Sequence, residues 1–338
     1  MRLGLTFGYW RRGPASGVVE LAQEAERLGF DSVWTAESWG SDAFTPLAWI
    51  AAATSRIGLG TAITQMSART PTATAMHALT LDHLSGGRML LGLGLSGPQV
   101  VEGWYGRPFP RSPLTFTREY VDVIRQVLRR EAPVEIDGRY AQHPYRGDDG
   151  TGLGKPLKSI THPLRAALPL FLGAAGPKNV RLTTRIADGW LPLQWSPYNP
   201  DAYGDALHDK PEGFRVAPTV SVVVDDDLER AMLPLKASLA FYVGGMGAKD
   251  RNFHADLMRR FGYPDAADRI QTLFAAGNRD EAVAAVPNEL VDEIALVGPA
   301  DRIRERFGMW RDDPHVTDMI VGSKNPATLK LMADLAHA

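Results

Sequence analysis

Short apolar runs flanked by glycine alternate along this chain with longer stretches whose apolar positions recur at helical spacing. Residues 3–7 form the first run. After it Val18, Leu21, Ala22, Ala25 and Leu28 fall on one helical face, and Gly29 sits where a helix end favours a left-handed residue. Runs at 31–35, 56–63 and 88–93 repeat the strand pattern. Helices are predicted between them at about 45–54 and at 72–84, the second opened by Pro71. A helix at 115–130, strands at 168–172 and 189–193 around a helix at 178–187, and strands at 216–224 and 317–321 before a closing helix complete the series. Eight buried strands, each followed by a helix, predict an α/β fold of the (β/α)8 TIM-barrel type. An open doubly wound sheet is the alternative, because counting strands does not prove closure.

Three connections are longer than a barrel requires. Residues 135–165, rich in glycine, read as a hairpin plus irregular loop; 198–212 read as a polar connection. Residues 244–287 start at Gly244-Gly245-Met246-Gly247 and continue into helical patterns. No repeat or linker divides the chain, so the expectation is one domain over 1–338 with insertions at about 135–165 and 244–287.

Composition narrows the chemistry. With 338 residues, 44% of them hydrophobic, a large core is available and disorder is not the main state. The charge balance of 37 basic against 39 acidic residues gives no footprint for nucleic acid or an anionic membrane. No cysteine is present, which removes disulfides, thiolate-held metals and cysteine nucleophiles. No apolar run reaches the length of a spanning helix and the start lacks a signal-peptide pattern, so the expected location is the cytoplasm.

Three motif matches fail on context. Gly92-Leu93-Gly94-Leu95-Ser96-Gly97 has dinucleotide-loop spacing, but it lies on the fourth unit and runs into Pro98 and a loop instead of a helix. Gly150-Thr151-Gly152-Leu153-Gly154-Lys155 lacks phosphate-loop spacing, and Pro156 stands where Ser or Thr would hold magnesium. Pro98 also spoils a nucleophile elbow at Ser96. The histidines show no metal-ligand spacing, and no metal is expected.

A barrel's active site forms at the C-terminal strand ends, which selects positions to inspect. Tyr9 and Trp10 follow strand one, and Glu37, Ser38 and Trp39 follow strand two. Strand three ends at Ala62-Ile63-Thr64-Gln65, strand four at Gly94-Leu95-Ser96-Gly97, strand five at Gly173-Ala174-Ala175-Gly176-Pro177, and strand six at Gln194-Trp195. With Trp104 and Tyr105 from the strand-four loop, Tyr9, Trp10, Trp39 and Trp195 would line a wide aromatic mouth suited to a planar ligand. Gly173 to Gly176, leading into a helix near Lys178, would expose main-chain N–H groups to a phosphate. Glu37 is the only carboxylate directly at an early strand end. An aromatic pocket with a phosphate cradle and few acids suits cofactor hydride chemistry better than side-chain hydrolysis.

These segments resemble the luciferase-like superfamily, and within it the coenzyme F420-dependent oxidoreductases. The similarity covers nearly the whole chain. Its markers include Leu28-Gly29-Phe30-Asp31-Ser32-Val33-Trp34, Leu59-Gly60-Thr61-Ala62-Ile63-Thr64 and Leu81-Asp82-His83-Leu84-Ser85-Gly86-Gly87-Arg88. Gly173-Ala174-Ala175-Gly176-Pro177-Lys178-Asn179 and Ile186-Ala187-Asp188-Gly189-Trp190 complete them. The resemblance implies a barrel binding a deazaflavin or flavin, with a non-proline cis peptide among Ala62, Ile63 and Thr64 behind the ring system and the cofactor phosphate over Gly173 to Asn179. The segment from Ser96 to Gly106 is closer to the deazaflavin branch, with FMN as the alternative cofactor. Some relatives carry Asp-His after strand two where this chain has Glu37-Ser38, which puts their sugar-phosphate dehydrogenase activity in doubt. The expected activity is hydride transfer between deazaflavin C5 and a small organic substrate. Glu37, Ser38 and Tyr9 are the candidates for proton handling, Glu37 as a proton relay or as an anchor to the ring edge, with Gln65 a polar neighbour. Lys249 and His254 are candidates reaching from the insertion, and a homodimer is implied. The rivals are a flavin monooxygenase fed by a partner reductase and a non-catalytic cofactor-binding protein.

Overall fold

The computed structural model describes residues 1–10, 12–14, 16–246 and 252–338. Eight strands carry the barrel: β1 (Arg2–Gly8), β2 (Ser32–Thr35), β3 (Gly58–Thr61), β4 (Met89–Gly94), β5 (Leu170–Ala174), β6 (Gly189–Pro192), β7 (Thr219–Val224) and β8 (Asp318–Gly322). Neighbours pair in parallel from β6 back through β5, β4, β3, β2 and β1 to β8 and β7. The ring closes just before β7. There Arg215 and Ala217 donate N–H bonds to the carbonyls of Asp188 and Trp190 (3.0 Å each), while the carbonyls of Val216 and Pro218 accept from Thr317 (3.1 Å) and Ile320 (2.9 Å). Pro218 has no N–H to give, so the predicted 216–224 strand is broken at that point.

Alternating residues fill the two sides of the wall. Trp34, Phe171, Leu191, Ala217 and Ile320 pack inside the barrel, and Ala62, Ile63 and Leu90 cover them. The Trp34 ring explains one glycine directly: a Cβ at Gly60 would lie 2.2 Å from its Cε3. The interior is therefore packed rather than a pore.

Two differences from the sequence reading matter for the site. Strand three stops at Thr61, because Thr61 Oγ1 donates to the Gly92 carbonyl (2.7 Å) and accepts from the Gly92 N–H (2.8 Å). The chain then turns through a cis Ala62-Ile63 peptide, as the resemblance implied, and resumes as Thr64–Gln65 beside β4. The second difference is the start of the long insertion. The helix Leu228–Gly245 runs straight through Gly244 and Gly245, which are small because Phe274 packs on them; a Cβ at Gly244 would sit 2.5 Å from the Phe274 Cβ. The insertion continues as Phe253–Arg260, Pro264–Ala275 and Arg279–Ala284, followed by Asn288–Ile294. Leu296–Gly298, a short strand beside the end of β7, and the helix Ala300–Arg311 were not foreseen. The expected hairpin forms from Ile136–Asp137 and Gln142–His143. No helix among the described residues is long and apolar enough to cross a membrane.

Candidate functional site

The floor of the mouth is made by the turn after β3. Ile63 lies across the ends of β4 and β5, where Gly94 and Gly173 leave room for it. A Cβ on Gly94 would come within 2.7 Å of Ile63 Cδ1, and one on Gly173 within 3.2 Å of its Cγ2. Ala62 and Ile63 stay partly exposed on the side away from the packed interior, and Ser96 and Gly97 are half-buried beyond Gly94.

Glu37 sits at one edge of this floor, 8% exposed. Its main-chain N–H donates to the Ile63 carbonyl (3.0 Å), which ties the end of β2 to the turn. The carboxylate accepts from Thr64 Oγ1 (2.6 Å) and from Arg69 Nη1 (2.8 Å to each oxygen), with the Gln65 N–H at 3.4 Å. Gln65 Nε2 donates to the Glu37 carbonyl (3.3 Å), and its buried Oε1 has no partner among the described residues. Every group facing Glu37 is a donor, so its place is that of a fixed acceptor. Of the two roles expected for Glu37, a proton relay or an anchor at the ring edge, this geometry is nearer to the anchor, because Arg69 already claims the carboxylate. Arg69 was missed: it follows the turn by several residues, beyond the strand ends that were inspected, and no local pattern marks it.

The rim is partly as expected. Trp39 and Trp104 are 44% and 60% exposed, and Tyr105 is half-buried. Burial, and then the Glu37 charge, push the Tyr105 phenol up to about 12, so it stays protonated at neutral pH. Trp10 and Ser38 are half-buried, with the Trp10 N–H bonded to Ser41 Oγ (3.0 Å). Trp195 is a correction. It is 1% exposed, stacked on Tyr203 with ring centres 6.0 Å apart and anchored through Nε1 to Asp313 (2.9 Å), so it braces the wall and presents no surface to a ligand. The 198–212 connection supplies Tyr203 from a short helix, Pro200–Leu207, and is less polar inside than its composition implied.

The opposite edge is the loop after β5. Gly176 precedes the helix Pro177–Ile186 and offers no side-chain cap, and Pro177 has no N–H. The N–H groups of Asn179 (2.9 Å) and Val180 (3.0 Å) are spent on the Gly176 carbonyl. Those of Ala175, Gly176 and Lys178 make no hydrogen bond among the described residues. Asn179 Oδ1 beside them is buried without a partner among the described residues.

A family model described as luciferase-like monooxygenase matches residues 8–317. This chain belongs to that family. A Mycobacterium tuberculosis protein that carries the name of a coenzyme F420-dependent oxidoreductase is 50% identical over 99% of both chains. Among solved structures, the coenzyme F420-dependent tetrahydromethanopterin reductase of Methanopyrus kandleri superposes with a TM-score of 0.78 at 23% identity, covering 98% of this chain and 97% of that one. An F420-dependent secondary alcohol dehydrogenase, solved with an F420-acetone adduct, reaches 0.73 at 18% identity, covering 99% and 97%. At these identities the two structures show a shared fold.

In this luciferase-like chain the residues present fit a phosphorylated tricyclic ligand. An apolar floor cleared by two glycines, unpartnered amide oxygens on Gln65 and Asn179, and three free N–H groups across the mouth are complementary to a flat ring at one end and an anion at the other.

The insertion also reaches the mouth of this family member. Tyr9 OH and Tyr242 OH lie 3.0 Å apart, and the Tyr242 ring packs on His254 with centres 4.6 Å apart. Lys249 lies outside the described residues. Burial lowers the His254 imidazole to about 4 from an ordinary value of 6.5. The unfolded chain then binds a proton that the folded chain refuses, so stability is expected to fall as pH drops from about 6.5 towards about 4. Urea midpoints of wild type and His254→Gln across that window check this. The variant should show the shallower dependence, and identical slopes would remove His254 from the account.

Proposed function

We propose that this protein is a coenzyme F420-dependent oxidoreductase exchanging a hydride with a small organic substrate, namely an alcohol, an imine or an activated alkene. The observation that carries the reading is the 50% identity, over 99% of both chains, to a relative bearing that name. The floor and cradle of the mouth support it. A bound deazaflavin supplies two-electron hydride exchange at its C5 position.

The protein's own residues bind, orient and exclude water. Ala62, Ile63 and Thr64 form the floor under the ring, with Gly94, Ser96 and Gly97 alongside and Gln65 offering an acceptor at its edge. Gly173, Ala174, Ala175, Gly176, Pro177 and Asn179 form the loop that takes the phosphoryl group on main-chain N–H groups. Glu37, held by Arg69, keeps the floor in place. Trp39, Trp104 and Tyr105 wall the substrate side and hold reacting atoms at about 3–3.5 Å. Tyr9, Ser38 and the protonated Tyr105 are the hydroxyls available to give or take the substrate's proton. Assembly is as a homodimer in the cytoplasm.

Fluorescence titration with F420 and with FMN tests the reading. Micromolar or tighter F420 binding is expected, followed by turnover of F420 absorbance with one of the three substrate classes. Tight FMN binding without F420 binding would replace the proposal with a flavin monooxygenase. F420 binding with no turnover in either direction would replace it with a carrier.

A further inference from the structure

Two consecutive main-chain carbonyls behind the cradle are each claimed by a side chain. Trp190 Nε1 donates to the Ala174 carbonyl at 2.9 Å, and Arg260 Nη2 to the Ala175 carbonyl at 2.5 Å. Both peptide links concerned are trans, so the N–H groups of Ala175 and Gly176 point opposite to those carbonyls. Trp190 packs with Trp195 and Tyr203 in the layer between barrel wall and helices, not in the barrel interior. The two N–H groups are thereby directed towards the mouth.

Arg260 differs from three partly buried arginines around the barrel in lacking a carboxylate. From Arg88 and Arg130, which lack one too and bond neutral oxygens, it differs in having a buried Nε without a hydrogen bond among the described residues. Arg69 pairs with Glu37, Arg165 with Asp82 and Arg215 with Asp318. Among the described residues Arg260 has no carboxylate partner. Its guanidinium lies over the Tyr203 ring, 5.6 Å from the centre, and its Nε is buried without a hydrogen bond. A partly desolvated cation without a counter-charge is costly unless an anion comes near. Here the anion would meet the amide that this cation polarises through the Ala175–Gly176 peptide.

We infer that Arg260 is a positioning residue for the phosphoryl cradle. It holds the Ala175 carbonyl so that the Gly176 N–H faces the mouth, and its charge makes that N–H a stronger donor. The inference rests on the cofactor reading of the mouth, and the ligand class it favours is a phosphorylated deazaflavin or flavin over the same ring without phosphate. It also assigns part of the insertion, the helix Phe253–Arg260, to cofactor recognition.

The test compares wild type, Arg260→Met and Arg260→Lys for binding of F420 and of its phosphate-free deazaflavin core, followed by fluorescence. FMN and riboflavin serve as the second pair. Arg260→Met is expected to weaken the phosphorylated ligand about 10-fold or more and the phosphate-free one less than about 2-fold, while Arg260→Lys recovers most of the loss. Equal weakening of both ligands, no weakening of the phosphorylated one, or no recovery by lysine would overturn the inference. If Arg260→Met does not fold by circular dichroism, Arg260→Gln is read by the same criteria. If wild type binds neither phosphorylated cofactor, the proposed function fails, and calorimetry with inorganic phosphate decides the role of Arg260. Weaker phosphate binding in the variant supports that role, and equal binding, or none by wild type, overturns it.

Discussion

Replacing Gly92 with alanine is expected to cost more than about 4 kcal/mol of stability, enough to empty the soluble fraction of a typical domain. The reason is main-chain crowding. A Cβ at this position would lie 1.8 Å from the Thr61 carbonyl oxygen and 2.8 Å from Leu191 Cδ1. The strand cannot slide to relieve the contact, because Thr61 Oγ1 holds both the carbonyl and the N–H of Gly92. Gly94→Ala, two residues on, meets the side chain of Ile63, at 2.7 Å from Cδ1 and 2.9 Å from Cγ1, and no main-chain atom, and should fold with a smaller loss. Denaturant unfolding of the two variants checks the contrast. Equal stabilities would mean that the β3–β4 spacing is softer than its hydrogen bonds imply.

Arg69→Met is the second large effect, with an expected loss of about 3 kcal/mol. The methionine keeps the apolar stem against Phe44, over whose ring the guanidinium lies at 5.5 Å, but removes the cation that bonds both Glu37 oxygens. What remains for a carboxylate with a 5% exposed side chain is one hydroxyl and one long N–H contact. Breaking one half of a buried pair costs about 3–5 kcal/mol, and the lower end applies because Arg69 keeps 18% of its side chain exposed. Glu37→Gln together with Arg69→Met should be more stable than Arg69→Met alone, since the stranded charge is then gone. Urea unfolding of the four proteins measures the coupling; purely additive losses would show that the pair does not act as a unit. Because Glu37 also ties β2 to the turn under the ring position, the single variant should lose cofactor affinity as well as stability.

How much was legible from sequence differs from element to element. The eight strands could be placed because buried parallel strands read as short apolar runs, and the helices because their apolar faces repeat. Boundaries slipped where a local interaction overrode the pattern, as at Pro218 and at Thr61. Leu296–Gly298 is too short to give a period at all. Trp195 shows the limit of reading a site from strand ends: the position was correctly placed after β6, but the direction of the ring depended on Tyr203 in the following connection and on Asp313, far away in sequence.

By itself the sequence determined the alternation of strands and helices and the two loops that frame the mouth, since these follow from periodicity, glycine placement and local turn chemistry, while the family was legible only through the resemblance of its segments. Tertiary structure alone decided that Glu37 is bound to Arg69, that Trp195 is buried between the barrel wall and its helices, and that Arg260 from the insertion stands behind the cradle. Each of these involves at least one contact between groups more than 30 residues apart. Such a contact depends on which side chain arrives at the lowest cost in desolvation and packing, and no local spacing records that outcome.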